Sequence, residues 1–134
     1  MAAVAVTSLA RAAERTGTPG PDILRGTPRA DLLRGLGGAD LISGRGGFDE
    51  LRGGPGRDRL IGGPDRDRLI GGPGRDEFNT GPGGHVTGAE GVDRIRARDG
   101  AQDLIQCGPG FDVVVVDRVE DGIFDCERIV EPAP

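Results

Sequence analysis

Large apolar residues recur every nine positions between residues 17 and 79. Each of the seven units has Gly at position one, Asp at position six and a large apolar residue at position eight. The apolar residues are Leu24, Leu33, Ile42, Leu51, Leu60, Leu69 and Phe78. Six residues rich in Gly and Pro favour a tight turn. Each unit therefore predicts a turn followed by a three-residue strand whose middle side chain points inward.

A strand of three residues is too short to be stable alone, so the units must stack on one another. If two units form one coil, each residue lies over the residue 18 positions later, at a spacing of about 4.8 Å. The period continues less strictly over residues 80–124, where an eight-residue unit has His85 at the Asp position and later units offer Asp93, Asp103 and Asp112. The pattern predicts an all-β stack of about six coils.

Stacking aligns the position-six carboxylates in two columns, one on each edge of the predicted stack. One column consists of Asp22, Asp40, Asp58 and Asp76, and the other of Asp31, Asp49 and Asp67. Two carboxylates about 4.8 Å apart repel by roughly 3.5 kcal/mol at an effective dielectric constant of 20. A hard divalent cation between successive coils removes this repulsion, and calcium accepts the mixture of carboxylate and carbonyl oxygens that Gly-rich turns expose.

The units resemble the RTX, or haemolysin-type, calcium-binding nonapeptide G-G-x-G-x-D-x-U-x, in which U is a large apolar residue. Gly53–Ile61 and residues 71–79 match every fixed position. The resemblance implies a right-handed parallel β-roll with about five calcium ions between consecutive turns. It implies metal ligation by the seven Asp residues of the two columns, and weaker ligation by Asp93, Asp103 and Asp112. Position two departs from the family's Gly at Thr18, Thr27, Leu36 and Arg45.

The segments outside the strict repeats have their own predictions. Residues 1–16 are either the remnant of an export signal or an unstructured or helical lead-in, and residues 125–134 form a short C-terminal cap and tail. Cys107 and Cys126 are 19 positions apart, one coil plus one residue, so stacking brings them near the separation that a disulfide needs. The alternative is two reduced, partly buried thiols.

Composition and charge narrow the function classes. The chain carries 26 Gly, 10 Pro and only four aromatic residues, all Phe, so its core is small. It has no Lys, which excludes a phosphate-binding loop that ends in Gly-Lys-Ser/Thr, and one His with two Ser offer little for a nucleophilic triad. No apolar run is long enough to span a membrane. The net charge of −5 argues against a nucleic-acid partner.

These observations predict a secreted, non-catalytic protein that binds calcium ions and folds when it binds them. One alternative is a calcium-dependent adhesion or matrix module that binds an extracellular polymer or protein of unknown identity. Another is the accessory module of a secreted enzyme. The middle units contain a cluster of Arg residues, which is either solvated charge or a patch for an anionic polymer. The cluster consists of Arg57, Arg59, Arg66, Arg68 and Arg75.

Overall fold

The computed structural model describes residues 12–81, 84–88, 91–97, 103–116, 122–124 and 126–130. Every regular element in these ranges is a β-strand of three or four residues. The strands are β1 (Glu14–Thr16), β2 (Ile23–Arg25), β3 (Leu32–Arg34), β4 (Leu41–Ser43), β5 (Glu50–Arg52), β6 (Arg59–Ile61), β7 (Arg68–Ile70), β8 (Glu77–Asn79), β9 (His85–Thr87), β10 (Arg94–Ala97), β11 (Leu104–Gln106), β12 (Val113–Val116), β13 (Gly122–Phe124) and β14 (Arg128–Val130).

Odd-numbered and even-numbered strands form two separate parallel sheets of seven strands each. Each strand pairs with the strand two places later, so Leu33 lies beside Leu51 and Leu51 beside Leu69, 18 residues apart. The eight-residue unit shortens the step, and Phe78 therefore pairs with Ile95. The prediction of a parallel β-roll of about six coils is confirmed.

The core is a single row of position-eight side chains that project from both sheets into the space between them. They are fully buried because position eight is the one inward-facing position of each strand. The row consists of Leu33, Ile42, Leu51, Leu60, Leu69, Phe78, Val86, Ile95, Ile105 and Val114, and Ala97, Cys107 and Val116 join it near the C-terminal end. Most units direct only one large apolar side chain into this row, which leaves the core narrow.

The strand array extends beyond the repeats at both ends. Strand β1 lies inside the segment predicted as a lead-in and pairs with β3, although Arg15 occupies the place of the apolar residue. Residues 1–11 of that segment lie outside the described residues. Strand β14 lies inside the predicted cap and pairs with β12. Among the residues that the structure describes, there is no helix with the length and apolar character to cross a membrane.

The prediction that His85 occupies the Asp position was wrong. His85 is the first residue of β9 and pairs with Arg68, so it stands at position seven, and Gly84 stands at position six. The missing residue of the eight-residue unit falls in the turn before Gly84 and not within the strand. His85 is exposed on the outer face of its sheet, away from the carboxylate column.

Position two of the turn adopts a left-handed backbone in five of the seven strict units. Gly54, Gly63 and Gly72 adopt φ values of 97°, 120° and 94° there. Leu36 and Arg45 occupy the same position with φ values of 76° and 77°, a region that residues with a Cβ atom rarely enter. The third and fourth turns therefore keep the geometry of the later ones at a cost in backbone strain, whereas Thr18 and Thr27 occupy position two without a positive φ.

Candidate metal centres along the edges of the roll

The position-six Asp side chains lie inside the roll, although each follows a surface turn. They form two columns, because each of them immediately precedes a strand and the strands stack in register. The first column contains Asp22, Asp40, Asp58, Asp76, Asp93 and Asp112, and the second contains Asp31, Asp49, Asp67 and Asp103. All except Asp22 are buried. Carboxylates in such positions are costly unless they are neutralised or hydrogen-bonded.

One oxygen of each carboxylate ties its coil to the preceding one. The backbone N–H of Asp40 donates to Oδ1 of Asp58 at 2.9 Å, and the N–H of Asp58 donates to Oδ1 of Asp76 at 2.9 Å. The same bond joins Asp22 to Asp40, Asp31 to Asp49, Asp49 to Asp67, Asp76 to Asp93 and Asp93 to Asp112. Each Oδ1 thus satisfies a backbone donor that the turn leaves unpaired.

The second oxygen of seven carboxylates is buried and has no hydrogen-bond partner. These atoms are Oδ2 of Asp40, Asp49, Asp58, Asp67, Asp76, Asp93 and Asp112. A buried acceptor without a partner loses its hydration and gains nothing in return, at a cost of about 1–3 kcal/mol or more for a charged group. A repeated feature of this kind makes these oxygens candidate ligands for a cation.

Burial raises the pKa values of these carboxyl groups. The pKa of Asp49 and that of Asp76 rise to about 7, because desolvation outweighs the backbone hydrogen bond that lowers them, and neighbouring carboxylates raise them further. Desolvation likewise raises the pKa of Asp58, Asp67 and Asp93 to about 6. Without a cation, the columns therefore favour protonated carboxyl groups.

The position-one glycines leave open the space that these unpartnered oxygens face. A Cβ atom on Gly35 would lie 2.7 Å from the carbonyl oxygen of Gly53 and closer still to Oδ2 of Asp40. A Cβ atom on Gly44 would meet the carbonyl oxygen of Gly62 at 2.8 Å and Oδ2 of Asp49. Each space is thus bordered by a carboxylate oxygen and by a carbonyl oxygen of the next coil.

Oxygen ligands of this kind fit a hard cation. Among the described residues, no group of three or more His, Cys, Asp or Glu side chains surrounds one point. A cation at the edge must therefore combine carboxylates with backbone carbonyl oxygens, and calcium accepts six to eight oxygens in such irregular sets. The smaller, stricter octahedron of magnesium suits this arrangement less well.

Three of the predicted ligands already have a protein partner for Oδ2. The backbone N–H of Thr18 donates to Oδ2 of Asp22 at 2.6 Å, and that of Thr27 donates to Oδ2 of Asp31 at 2.5 Å. The hydroxyl groups of both Thr side chains also lie within hydrogen-bond distance of these carboxylates. The hydroxyl of Thr80 lies 3.3 Å from Oδ2 of Asp103. These Thr residues therefore give three carboxylates an Oδ2 partner that the other seven lack.

Glu127 continues the first column, although the nine-residue period does not predict it. The backbone N–H of Asp112 donates to Oε2 of Glu127 at 2.9 Å, which is the bond that an Asp accepts in every earlier coil of the column. Glu127 precedes β14 as each Asp precedes its strand. The signal was an acidic residue two positions before Ile129, but its spacing of 15 residues from Asp112 hid it from the nine-residue period.

Cys107 and Cys126 form a disulfide with a Cα–Cα separation of 5.2 Å. Cys107 is fully buried in the core row, and Cys126 is adjacent to Glu127. The carbonyl oxygen of Cys107 also borders the space at Gly88, together with Oδ2 of Asp93. The disulfide therefore lies beside Asp93 and Glu127, near the C-terminal end of the first column.

Comparison with known proteins gave one family match. The sequence profile of the RTX calcium-binding nonapeptide repeat matches in four copies over residues 16–51 and 52–84, just over half of the chain. Neither the curated proteins nor the solved structures include a significant match. The matched residues begin at the last residue of β1 and contain strands β2 to β8.

Proposed function

Because the chain belongs to the RTX calcium-binding nonapeptide repeat family, we propose that it is a secreted, non-catalytic calcium-binding protein whose folding is driven by calcium. The observation that carries this proposal is the set of seven buried carboxylate oxygens without a partner. In the absence of a cation, these groups oppose folding, and the narrow core offers little to offset them. With calcium, the same groups become ligands, so that binding free energy becomes folding free energy.

The Asp residues differ in how tightly we expect them to bind calcium. Asp40, Asp49, Asp58, Asp67 and Asp76 hold calcium most firmly, because each has an unpartnered Oδ2 within a strict repeat. Asp22 and Asp31 complete the first sites, although Thr18 and Thr27 share their oxygens. Asp93 and Asp112 form weaker sites, and Asp103 forms the weakest. About five ions bind to the strict repeats, and the degenerate units add one or two.

The secreted location has two supports. Disulfides persist in oxidising compartments, and Cys107 and Cys126 are joined. A chain that needs calcium to fold stays extended where free calcium is scarce and folds where it is abundant, in the range of about 10⁻⁴–10⁻³ M that extracellular modules use.

The non-catalytic role is supported by the single His85, which is exposed on a strand and has no carboxylate or nucleophile partner among the described hydrogen bonds.

The test is circular dichroism of the purified protein during a calcium titration that begins in EDTA. We expect a disordered spectrum in EDTA and a cooperative gain of β signal as calcium reaches about 0.1–1 mM. Magnesium at the same concentrations is the control and should leave the spectrum unchanged. An identical spectrum and melting temperature with EDTA and with calcium would contradict the proposal.

Native mass spectrometry of the calcium-loaded protein should then count five to seven bound ions, and a count of one or two would exclude the stacked sites.

A further inference from the structure

The surface of the described residues is cationic, although the chain as a whole is acidic. Nine of the ten position-six Asp residues are buried, so their charges face the interior. The Arg side chains, in contrast, lie on the strands' outer faces and in the turns, where nearly all are exposed. Solvent-facing acids are few in these ranges, and Asp65 is one of them. The net charge of −5 therefore does not describe the surface of these residues that a partner would contact.

The two sheets differ in how their arginines are neutralised. On the sheet of odd-numbered strands, Arg34 contacts Glu14 at 2.7 Å and Arg52 contacts Glu50. On the sheet of even-numbered strands, Glu77 lies between two arginines, Arg59 and Arg94, as their Cα partner on either side. Its carboxylate is 3.7 Å from Arg59. Positive charge is therefore in excess on the even-numbered sheet.

The excess charge lines a groove at the edge of this sheet. We define the arginine groove by Arg57, Arg59, Arg75 and Arg94, which border it together with Glu77, the half-buried Asp22 and four buried Asp residues of the first column. Arg57 and Arg75 stand at position five of units one coil apart, and Arg59 and Arg94 stand at position seven two coils apart. The four arginines therefore follow the stacking direction, and the Cα atoms of each pair are separated by a multiple of about 4.8 Å.

We propose that the arginine groove binds an extended anionic polysaccharide. The planar guanidinium group pairs bidentately with carboxylate and sulfate-like oxygens, and it cannot lose its charge at neutral pH. A row of such groups at regular spacing fits a linear polymer that carries one anionic group every one or two residues. The row runs across the strands, so that a polymer along it contacts several coils at once.

The lining of the groove favours a polysaccharide over single-stranded nucleic acid. Proteins that bind single strands stack the bases on aromatic side chains, and none of the described residues that line the arginine groove is aromatic. The opposite groove, beside the odd-numbered sheet, contains Phe48, Leu32 and Leu104 with only Arg66 and Arg68. It lacks both the density and the regular row of positive charge.

Calcium reinforces this interaction, and here the inference rests on the proposed function. Five calcium ions carry ten positive charges, which change the formal net charge of the protein from −5 to +5. The same ions hold the coils in register, and only a stacked roll aligns the four arginines. The polysaccharide should therefore bind the calcium-loaded protein and not the protein in EDTA.

The test measures retention of the calcium-loaded protein on immobilised dextran sulfate, with neutral dextran as the control matrix. The variant Arg57→Gln/Arg75→Gln/Arg94→Gln removes three charges from the groove. The matched control Arg52→Gln/Arg66→Gln/Arg68→Gln removes three charges from the opposite side. We expect the groove variant to bind at least tenfold more weakly and to show a smaller dependence on salt, and the control to change less than twofold.

Each other outcome overturns a specific statement. Equal weakening by the two variants would show that net charge and not the groove is responsible. Equal or tighter binding of single-stranded DNA would replace the polysaccharide with nucleic acid. Normal calcium-induced circular dichroism without retention on dextran sulfate would reject this inference alone. Absence of the calcium-induced signal would reject the proposed function together with it.

Discussion

Asp58 accepts the backbone N–H of Asp40 through Oδ1 at 2.9 Å, while its Oδ2 is buried without a partner. The two oxygens of one side chain thus have separate tasks. Oδ1 supports the backbone of the preceding coil whether or not the group is charged. Oδ2 faces the space where we place calcium, and there the charge matters. A substitution that keeps the first oxygen and removes the charge therefore separates the backbone hydrogen bond from calcium binding.

Asp58→Asn should therefore act in opposite directions with and without calcium. Asn retains an oxygen that accepts the N–H of Asp40, and it removes a charge that is unfavourable in the metal-free roll. We expect less disorder in EDTA, and an affinity of the adjoining calcium sites that is about tenfold weaker, or ~1.4 kcal/mol. Calcium titration followed by circular dichroism and isothermal calorimetry measures both effects.

The control is Asp65→Asn. Asp65 also accepts a backbone N–H from 18 residues earlier, that of Gly47 at 2.9 Å, but it is exposed. Its charge is only a secondary cause of the raised pKa of Asp67 and Asp49, so its substitution should change the EDTA spectrum and the calcium affinity much less than Asp58→Asn does. If Asp58→Asn and Asp65→Asn behave alike, the assignment of position six as the metal ligand is wrong.

Acid should stabilise the metal-free roll. Burial raises the pKa of Asp49 and Asp76 to about 7 from an ordinary value of 3.8, so the folded state binds more protons than the unfolded state between these values. The free energy of unfolding then falls as the pH rises from about 4 to about 7. In EDTA, we expect more β signal at pH 5 than at pH 8.

Protons and calcium should also compete. Both neutralise the same carboxylates, so the calcium concentration at which half of the sites are filled, measured by calorimetry, should be higher at pH 5.5 than at pH 7.5. Titrations at the two pH values with the same ionic strength measure this difference. A midpoint that does not depend on pH would mean that the buried carboxylates are not the groups that calcium meets.

The disulfide should protect the C-terminal coils and little else. A bridge that closes a loop of about 20 residues contributes about 3 kcal/mol in the loop-entropy estimate. In a Cys107→Ser/Cys126→Ser variant, we expect a lower melting temperature and the loss of one or two calcium ions near Asp93, Asp112 and Glu127. The five ions of the strict repeats should remain. Native mass spectrometry distinguishes this partial loss from a general collapse, which would contradict it.

Arg45→Gly should stabilise the calcium-loaded protein. The φ value of 77° at Arg45 is unfavourable for a residue with a Cβ atom, and Gly adopts it freely. After the entropy that Gly loses on folding, the expected gain is about 0.5–1 kcal/mol. Arg68→Gly, which changes an exposed strand position, is the matched control and should destabilise by a similar amount. Thermal unfolding in excess calcium measures both, and a loss of stability in Arg45→Gly would show that its side chain is needed.

The sequence predicted the repeat, the two sheets, the Asp columns and the Cys107–Cys126 pair, because all of these follow from a fixed spacing. It could not place the deletion within the eight-residue unit, since Gly84 and His85 both fit a count of positions. It missed β1 because Arg15 breaks the apolar column, and Glu127 because its spacing from Asp112 breaks the period. The role of Thr18 and Thr27 depends on turn geometry and not on spacing. Net charge predicted nothing about the surface, because burial separates the Asp residues from the Arg residues.

Two strands per coil also determine how the protein would respond to a pulling force. Each coil stores about 18 residues but advances the stack by only about 4.8 Å, so peeling one coil from the N-terminal end would lengthen the chain by roughly 55 Å. Extension should proceed in nearly equal steps, each of which releases the ions held against the next coil. The Cys107–Cys126 bond stops this process before the last coil. A tethered roll of this kind would act as an extensible spacer whose stiffness follows the surrounding calcium concentration.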